Sequence, residues 1–396
     1  REHYVLGRAW YQRDIEIPED WQDHPIQLEL ERVLWESRVW LDGREIGACD
    51  SLATPHVYAL GPASPGRHRL TFSVDNRMIH NTGTIGHGYG PETQTRWNGV
   101  IGRMALRRMP PVWIDDLQVY PRAADKTVQV KVSLGNATGG EVNGVLNLHA
   151  GRAGTPASDP VPVPYAFSTE RAEATATIAL GEQAALWNEF HPDLYRLTAT
   201  LPNGASRTVP FGLRDLERSG RHVLVNGRRT FLRGTLDCCV YPNTGHPPVD
   251  LASWRRILST VKEYGFNHVR FHSWCPPEAA FDAADELGLY LAPETMFWVD
   301  GWTLDTYSRP RALGHDPDVL DFVRREIARI SRAYGNHPSF AMFCIGNEFA
   351  LEQTDWGVVE ALVAEAKQQD TRHLYAATTA RRSVPSDDCW VTHRTG

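Results

Sequence analysis

Residues 336–348 read Asn-His-Pro-Ser-Phe-Ala-Met-Phe-Cys-Ile-Gly-Asn-Glu. The middle of this stretch is an apolar run of strand length, and it ends abruptly at Asn347 and Glu348. An amide and a carboxylate at the end of a buried strand cost free energy unless both groups are used. In an eight-stranded α/β barrel, that end of a strand faces the site where substrates bind. The stretch therefore predicts a barrel strand that carries functional side chains at its tip.

The sequence on both sides of this stretch alternates between predicted strands and predicted helices. Apolar runs predict strands at 230–236, 268–272, 289–292, 340–345, 374–378 and 389–392. Apolar residues at helical spacing lie between a capping residue and a glycine in three segments: Asp250 to Gly265, Pro277 to Gly288, and Asp316 to Gly335. Repeated strand-then-helix units predict parallel pairing. No Gly-x-Gly-x-x-Gly follows the first strand, so a (β/α)8 TIM barrel is favoured over a Rossmann sheet.

The residues that precede the barrel are predicted to be all-β. Alternating polar and apolar residues predict antiparallel β-strands over 1–112, where we expect a jelly-roll β-sandwich. Short strands between turn residues predict an immunoglobulin-like sandwich over 113–215. The barrel domain then occupies 216–396. Between His80 and Trp97 lies a loop rich in glycine and threonine, which is either a binding loop or merely mobile. Because about six barrel strands are found, we expect an incomplete barrel within a longer protein.

Composition narrows the classes of partner. The chain has 396 residues, a net charge of −7 and 42% apolar residues, which gives no reason to expect nucleic acid or an anionic membrane as a partner. No apolar run approaches the roughly 18 residues of a membrane span. We expect a soluble protein of the cytoplasm or periplasm, and the sequence leaves its oligomeric state open, a homo-oligomer included.

The ends of the predicted strands supply the candidate site, because a barrel places all of them on one face. They are Asp237, Arg270, His272, Glu294, Asn347 and Glu348. Three tryptophans follow in the adjacent loops: Trp274, Trp298 and Trp302. A carboxyl group that donates a proton near neutral pH needs a raised pKa, and burial beside a second carboxylate shifts a pKa in that direction. A purely structural alternative is that Arg270 pairs with Glu294 inside the barrel.

These residues lie in segments that resemble glycoside hydrolase family 2, which includes β-galactosidases, β-glucuronidases and β-mannosidases. The stretch 336–348 resembles the acid/base motif of that family, with Phe343-Cys344 where Trp-Ser or Trp-Gly is usual. Further segments that resemble family motifs are 97–102, 225–227, 232–234 and 267–291. The resemblance covers essentially the whole chain.

The resemblance implies an exo-acting, retaining β-glycosidase in which Glu348 is the acid/base. It implies that Asn347 contacts the sugar 2-hydroxyl and that Arg270 and Glu294 occupy active-site positions. We expect His272, Asp237, Trp274 and Trp298 to contact the carbohydrate substrate as well, the tryptophans by stacking. The family's nucleophile is a second glutamate at the end of the seventh strand, and no acidic residue after Glu348 ends an apolar strand, so we expect the nucleophile in a missing C-terminal part.

Two departures from the family pattern leave the substrate open. Ser273-Trp274-Cys275 stands where His-Tyr-Pro is usual, and because that histidine helps to hold magnesium in some β-galactosidases, no metal or other cofactor is predicted. The loop 237–241 lacks the usual histidine-rich pattern. A β-galactosidase-like activity is the first expectation and a β-glucuronidase-like activity the second. A non-catalytic carbohydrate-binding protein is the alternative from a different class.

Overall fold

The chain was analysed as a computed structural model. It describes residues 5–90, 92–93, 97–152, 159–298, 316–352 and 354–392. Within those ranges no helix combines the length and the apolar character needed to cross a membrane.

The first unit is an antiparallel β-sandwich. Its strands are β1 (Arg8–Ile17), β2 (Ile26–Leu34), β3 (Glu36–Leu41), β4 (Arg44–Cys49), β5 (His56–Gly61), β6 (Gly66–Asp75) and β7 (Gly99–Arg108), with a 3₁₀ turn at Glu19–Trp21. They form two sheets, in the orders β1-β6-β3-β4 and β5-β2-β7. Alternating side chains such as Leu28, Leu30 and Val39 fill the space between the sheets, as the period of two in the sequence predicts.

The second unit is also a sandwich of antiparallel sheets. Its strands are β8 (Val112–Arg122), β9 (Thr127–Asn136), β10 (Val142–Arg152), β11 (Val161–Phe167), β12 (Arg171–Ala179), β13 (Leu194–Thr200) and β14 (Ser206–Gly212). The sheet orders are β12-β9-β8 and β11-β10-β13-β14. A three-plus-four arrangement of this kind is typical of immunoglobulin-like domains.

The third unit carries the parallel strands of the barrel. A small antiparallel sheet of β15 (Leu216–Ser219), β16 (His222–Val225) and β17 (Arg228–Thr230) leads into it. The barrel strands are β18 (Gly234–Asp237), β19 (His268–Phe271), β20 (Tyr290–Ala292), β21 (Met342–Asn347) and β22 (Leu374–Thr379). Neighbours pair in parallel, and bridges at Leu291–Phe340 and Glu294–Cys344 connect β20 to β21.

A helix follows each of the first four barrel strands. They are α1 (Leu251–Glu263), α2 (Glu278–Leu287), α3 (Pro317–Tyr334) and α4 (Trp356–Gln369). The predicted caps are confirmed for α1, where the Asp250 side chain accepts from the Ser253 N–H, and for α3, where Asp316 accepts from Asp318 and Val319. Gly288 ends α2 in the left-handed conformation, which glycine adopts without steric cost.

The predicted fold class, two sandwiches followed by part of a TIM barrel, is confirmed. The predicted domain limits remain predictions. Two strand predictions need correction: residues 230–236 do not form one strand, because Thr230 belongs to the antiparallel sheet and the barrel strand begins at Gly234. At 389–392 the described residues contain only a bridge between Thr379 and Val391.

Candidate active site

The barrel brings polar side chains from neighbouring strands to one face. Arg270 lies near the end of β19, Glu294 follows β20, Asn347 ends β21 and Thr379 ends β22. Because parallel strands all point the same way, these ends meet at one mouth. The predicted convergence of Arg270, Glu294 and Asn347 is observed in the structure.

Arg270 is the centre of a hydrogen-bonded network at this mouth. Its Nε donates to Glu294 Oε1 at 2.7 Å. Its Nη2 donates to Asn347 Oδ1 at 2.7 Å and to Thr379 Oγ1 at 2.9 Å. The Thr379 hydroxyl in turn donates to Asn347 Oδ1. One guanidinium thus fixes side chains from three neighbouring strands, and its fork geometry suits that task.

Glu294 is fully buried, and both of its carboxylate oxygens have partners. Oε1 accepts a hydrogen bond from Arg270 Nε, and Oε2 accepts one from the backbone N–H of Ser273 at 2.6 Å. Burial raises the pKa of the Glu294 carboxyl above its ordinary value, although the contact with Arg270 opposes that shift. The structural pairing that the sequence left open as an alternative therefore exists, and it lies inside the candidate site.

Asn347 is fully buried, and its amide is oriented by the network. Arg270 and Thr379 both donate to Oδ1, which fixes the oxygen end of the amide. The Nδ2 end has no hydrogen-bond partner among the described residues. A buried donor without a partner costs about 1–3 kcal/mol, which makes the Nδ2 group of Asn347 a candidate for a contact with a ligand.

Glu348 follows Asn347 and is half-buried, with a backbone φ of 41°. A non-glycine residue in this left-handed region is strained, and such strain concentrates at functional sites. Burial alone would lower the pKa of Arg270, but Glu294 and, more weakly, the charge of Glu348 raise it above its ordinary value. Glu348 is therefore electrostatically coupled to the network.

Gly346 in the same motif is required by space. A Cβ atom at this position would lie 2.4 Å from the Phe297 carbonyl oxygen and 2.5 Å from the Phe349 ring. The strand therefore reaches its tip only if residue 346 has no side chain.

Two residues that the sequence predicts to contact the substrate, Asp237 and Trp274, have partners within the protein. The Asp237 carboxylate accepts from the Cys239 N–H at 2.7 Å and from the Tyr241 hydroxyl at 2.8 Å, and burial raises its pKa. Trp274 is 2% exposed and packs edge-to-face on Phe271, with ring centroids 5.2 Å apart. It has no exposed face for a sugar, so Trp274 is not among the residues that we propose to contact a substrate.

His272 and Trp298 lie together on another side of the mouth. Their ring centroids are 4.7 Å apart in an edge-to-face arrangement. His87 of the first sandwich joins them, with its ring 4.9 Å from His272 and 5.9 Å from Trp298. Trp302 lies outside the described residues.

Sequence reasoning missed three residues of this site. Thr379 ends an apolar strand just as Asn347 does, and that signal was available in the sequence. Ser273 acts through its backbone N–H, which no side-chain pattern reveals. His87 comes from the glycine- and threonine-rich loop, and its backbone N–H donates to Ser273 Oγ at 3.0 Å. Only the folded chain brings that loop to the barrel.

Comparison with known proteins identifies the family. The family model described as Glycosyl hydrolases family 2 matches residues 112–214, and the model for the TIM barrel domain of the same family matches residues 217–383. A β-galactosidase of Enterobacter cloacae is 26% identical over 355 residues, which is 85% of this chain and 33% of that protein. A β-galactosidase of Bacteroides ovatus is 29% identical over 180 residues, covering 43% of this chain and 20% of that protein.

Solved structures share the fold. A family 2 β-galacturonidase from Eisenbergiella tayi has a TM-score of 0.78 at 20% identity, over 96% of this chain and 64% of that one. A β-glucuronidase of Bacteroides uniformis has a TM-score of 0.79 at 18% identity, over 94% of this chain and 46% of that one. The chain spans about a third of the Enterobacter cloacae relative. With two models of one family matched in succession, this chain belongs to glycosyl hydrolases family 2.

Proposed function

We propose that this chain carries the acid/base half of an exo-acting, retaining β-glycosidase, with Glu348 as the acid/base. The observation that carries the proposal is the Arg270 network, which fixes Asn347 beside Glu348 and leaves the Asn347 Nδ2 donor available. A sugar hydroxyl is an acceptor of the kind that this donor lacks.

In the proposed mechanism, Glu348 donates a proton to the glycosidic oxygen while a second carboxylate attacks the anomeric carbon. Glu348 then takes a proton from the water that releases the sugar. Such a reaction needs the two carboxyl groups about 5 Å apart. Both Glu294 oxygens are already engaged by Arg270 and Ser273, which supports a positioning role for Glu294 and not that of the nucleophile.

Four of the described acidic residues that follow Glu348 are engaged elsewhere. Asp387 accepts from the Ala377 N–H at 2.7 Å, and Asp388 accepts from the Tyr375 N–H at 2.9 Å. Asp355 caps α4, and Glu365 pairs with Arg324. We therefore assign the nucleophile to none of these four residues.

For the substrate we propose a terminal β-galactoside first, because the curated relatives named above are β-galactosidases. β-Glucuronides are the second candidate, since a β-glucuronidase and a β-galacturonidase share the fold. A panel of nitrophenyl β-glycosides assayed with the full-length protein separates these candidates. Turnover confined to a sugar of another class would contradict both.

The acid/base assignment is tested with Glu348→Gln in the full-length protein. On an aryl glycoside with a poor leaving group, kcat/KM should fall about 100- to 10,000-fold, because leaving-group protonation contributes that much. On a substrate with a very good leaving group, which needs no proton, the loss in kcat/KM should be much smaller. Glu352→Gln, an exposed carboxylate four residues further on, is the matched control.

The contrast between the two leaving groups is the decisive result. Equal losses on both substrates would indicate a general disturbance of the site and would remove Glu348 from the acid/base role. Full activity of Glu348→Gln on the poor leaving group would do the same. Saturable sugar binding without turnover by the unmodified full-length protein would favour the carbohydrate-binding alternative.

A further inference from the structure

Three potential metal ligands from separate parts of the chain meet beside the Arg270 network. They are His87, Cys238 and His272, and one ligand atom of each lies within 4.8 Å of the others. All three side chains are half-buried. Because the three residues are far apart in sequence, they form no recognisable metal-binding motif, and the sequence did not predict this cluster.

The backbone around each of these residues is held in place. The His272 N–H donates to the Asp237 carbonyl oxygen at 2.9 Å, which fixes the tip of β19 beside the residue that precedes Cys238. On the other side, the His87 N–H donates to Ser273 Oγ at 3.0 Å. The Tyr89 hydroxyl also donates to the Ser273 carbonyl oxygen. The cluster is therefore built on hydrogen-bonded backbone and not on a loose surface.

His87 has a ring nitrogen suited to a ligand. Its Nδ1 is buried and has no hydrogen-bond partner among the described residues. A neutral imidazole nitrogen without a hydrogen-bond partner can donate its lone pair to a metal ion. On binding a metal ion, the Cys238 thiol would release its proton to solvent and act as a thiolate ligand.

We propose that His87, Cys238 and His272 bind one Zn²⁺ ion that ties the 80–97 loop of the first sandwich to the mouth of the barrel. Two imidazole nitrogens and a thiolate are ligands that zinc prefers, and three protein ligands leave a fourth tetrahedral position for water or another ligand. The site lies at the same mouth as the Arg270 network, but its three ligands do not include Arg270, Asn347 or Glu348, so metal binding can be tested whether or not Glu348 is the acid/base.

The charges nearby are compatible with a cation. The positive charge of Arg270 acts on His87, but Arg270 is paired with Glu294 at 2.7 Å, which offsets that charge. Asp237 adds a negative charge next to Cys238. The thiolate and this carboxylate together offset the charge of a divalent ion.

The test uses the full-length protein, freed of metal with a chelator and titrated with Zn²⁺ alone and, separately, with Co²⁺ alone. We expect one Zn²⁺ per chain by elemental analysis and a higher melting temperature in its presence. The Co²⁺ form should show a thiolate-to-metal charge-transfer band in the near ultraviolet. Cys238→Ser should abolish that band, and His87→Gln should weaken Zn²⁺ binding at least about 100-fold, as expected for loss of a ligand.

Cys389→Ser, a half-buried cysteine in another part of the barrel, is the matched control and should leave both signals unchanged. Near-ultraviolet circular dichroism of the metal-free variants establishes that they remain folded. Absence of stoichiometric Zn²⁺ binding by the unmodified protein would overturn the proposal. Equal binding by the unmodified protein, Cys238→Ser and His87→Gln would overturn it as well, since the ion would then lie elsewhere.

Discussion

At the scale of single residues, the site depends on the bonds around one arginine. Arg270 joins Glu294, Asn347 and Thr379, and the Thr379 hydroxyl both accepts from Arg270 and donates to Asn347. Thr379 is 1% exposed, so water cannot replace either bond. The orientation of the Asn347 amide is therefore determined by side chains that a substrate need not touch.

Thr379→Val tests this positioning role, because valine keeps the shape of threonine and removes the hydroxyl. A hydrogen bond to a charged group contributes about 1.5–3 kcal/mol, so kcat/KM on an aryl β-glycoside should fall about tenfold or more. Steady-state kinetics of the full-length variant give the measurement. Thr379→Ser restores the hydroxyl and should recover most of the activity. If valine were as active as serine, the hydroxyl would have no positioning role.

Residue-level prediction succeeded where a side chain ends a strand and failed where a turn redirects the chain. The meeting of Arg270, Glu294 and Asn347 at one face of the barrel can be predicted from the direction of the parallel strands alone. Trp274 does not, because Ser273 turns with a φ of 53° and the indole then packs in the core against Phe271. That conformation depends on contacts with distant residues, among them the loop that carries His87, so no local pattern contains it.

At the scale of secondary-structure elements, residues 336–339 hold the start of β21 in place. The Asp285 carboxylate of α2 accepts hydrogen bonds from His337 Nδ1 at 2.7 Å and from the Ser339 N–H at 2.9 Å. These bonds fix the segment that leads into β21 against helix α2. Burial alone would lower the pKa of His337, but the contact with Asp285 outweighs it and raises that pKa above its ordinary value.

His337→Gln should therefore destabilise the protein in a pH-dependent way. A histidine whose pKa is raised on folding stabilises fully below its unfolded pKa of about 6.5, and that stability is lost as pH rises through the folded pKa. We expect about 2 kcal/mol less unfolding free energy for the variant near pH 7, and a smaller difference near pH 9. Chemical denaturation of both proteins across that interval gives the measurement.

The nearby carboxyl of Asp282, 4.0 Å from His337 Nδ1, sets the lower limit of that interval. Burial raises the pKa of Asp282 to about 6, so its own titration is largely complete above about pH 7. His191→Gln replaces an exposed histidine and serves as the control. A stability difference for His337→Gln that did not change with pH would show that the imidazole is not charged in its pair with Asp285.

Element prediction was correct where helix caps and glycines bound a long periodic segment, as for α1 and α3. It was wrong for residues 230–236, because a short apolar run does not reveal its pairing partner. Residues 228–230 pair antiparallel with β16, and the parallel strand begins after a break, at Gly234. The choice between the two pairings is made by the neighbouring sheet and not by the segment itself.

At the scale of the whole molecule, helix α3 joins the barrel to both sandwiches. Toward the second sandwich, Arg332 Nε donates to Asp116 at 2.9 Å, and the Asn336 side chain after the helix bonds the backbone of Leu117 and Val119 at 2.8 Å. Toward the first sandwich, the polar contacts of α3 include the Glu326 carboxylate as well as ion pairs with Asp50. Helix α3 therefore has polar contacts with both sandwiches.

No local sequence pattern identified Glu326 as a contact between domains. It lies in the apolar stripe of α3 between Val323 and Ile330, where a charge is costly unless it is paired. Which groups pair with it depends on a turn of the first sandwich some 270 residues earlier, where the N–H groups of Leu52 and Ala53 donate at 2.9 Å. Contacts between domains of this kind follow from the tertiary arrangement, which local patterns do not specify.

Glu326→Ala should therefore weaken the connection between the first sandwich and the barrel. Glu326 is fully buried and accepts two backbone N–H groups and the Ser51 hydroxyl, so its removal leaves buried donors unsatisfied. We expect a loss of about 3 kcal/mol or more in unfolding free energy and faster amide hydrogen exchange at 51–54. Glu326→Gln keeps one acceptor oxygen and should lose less.

Asp321→Asn, on the exposed side of α3, removes only a surface ion pair with Arg325 and should cost less than about 1 kcal/mol. If Glu326→Ala behaved like this control, the carboxylate would not hold the two domains together.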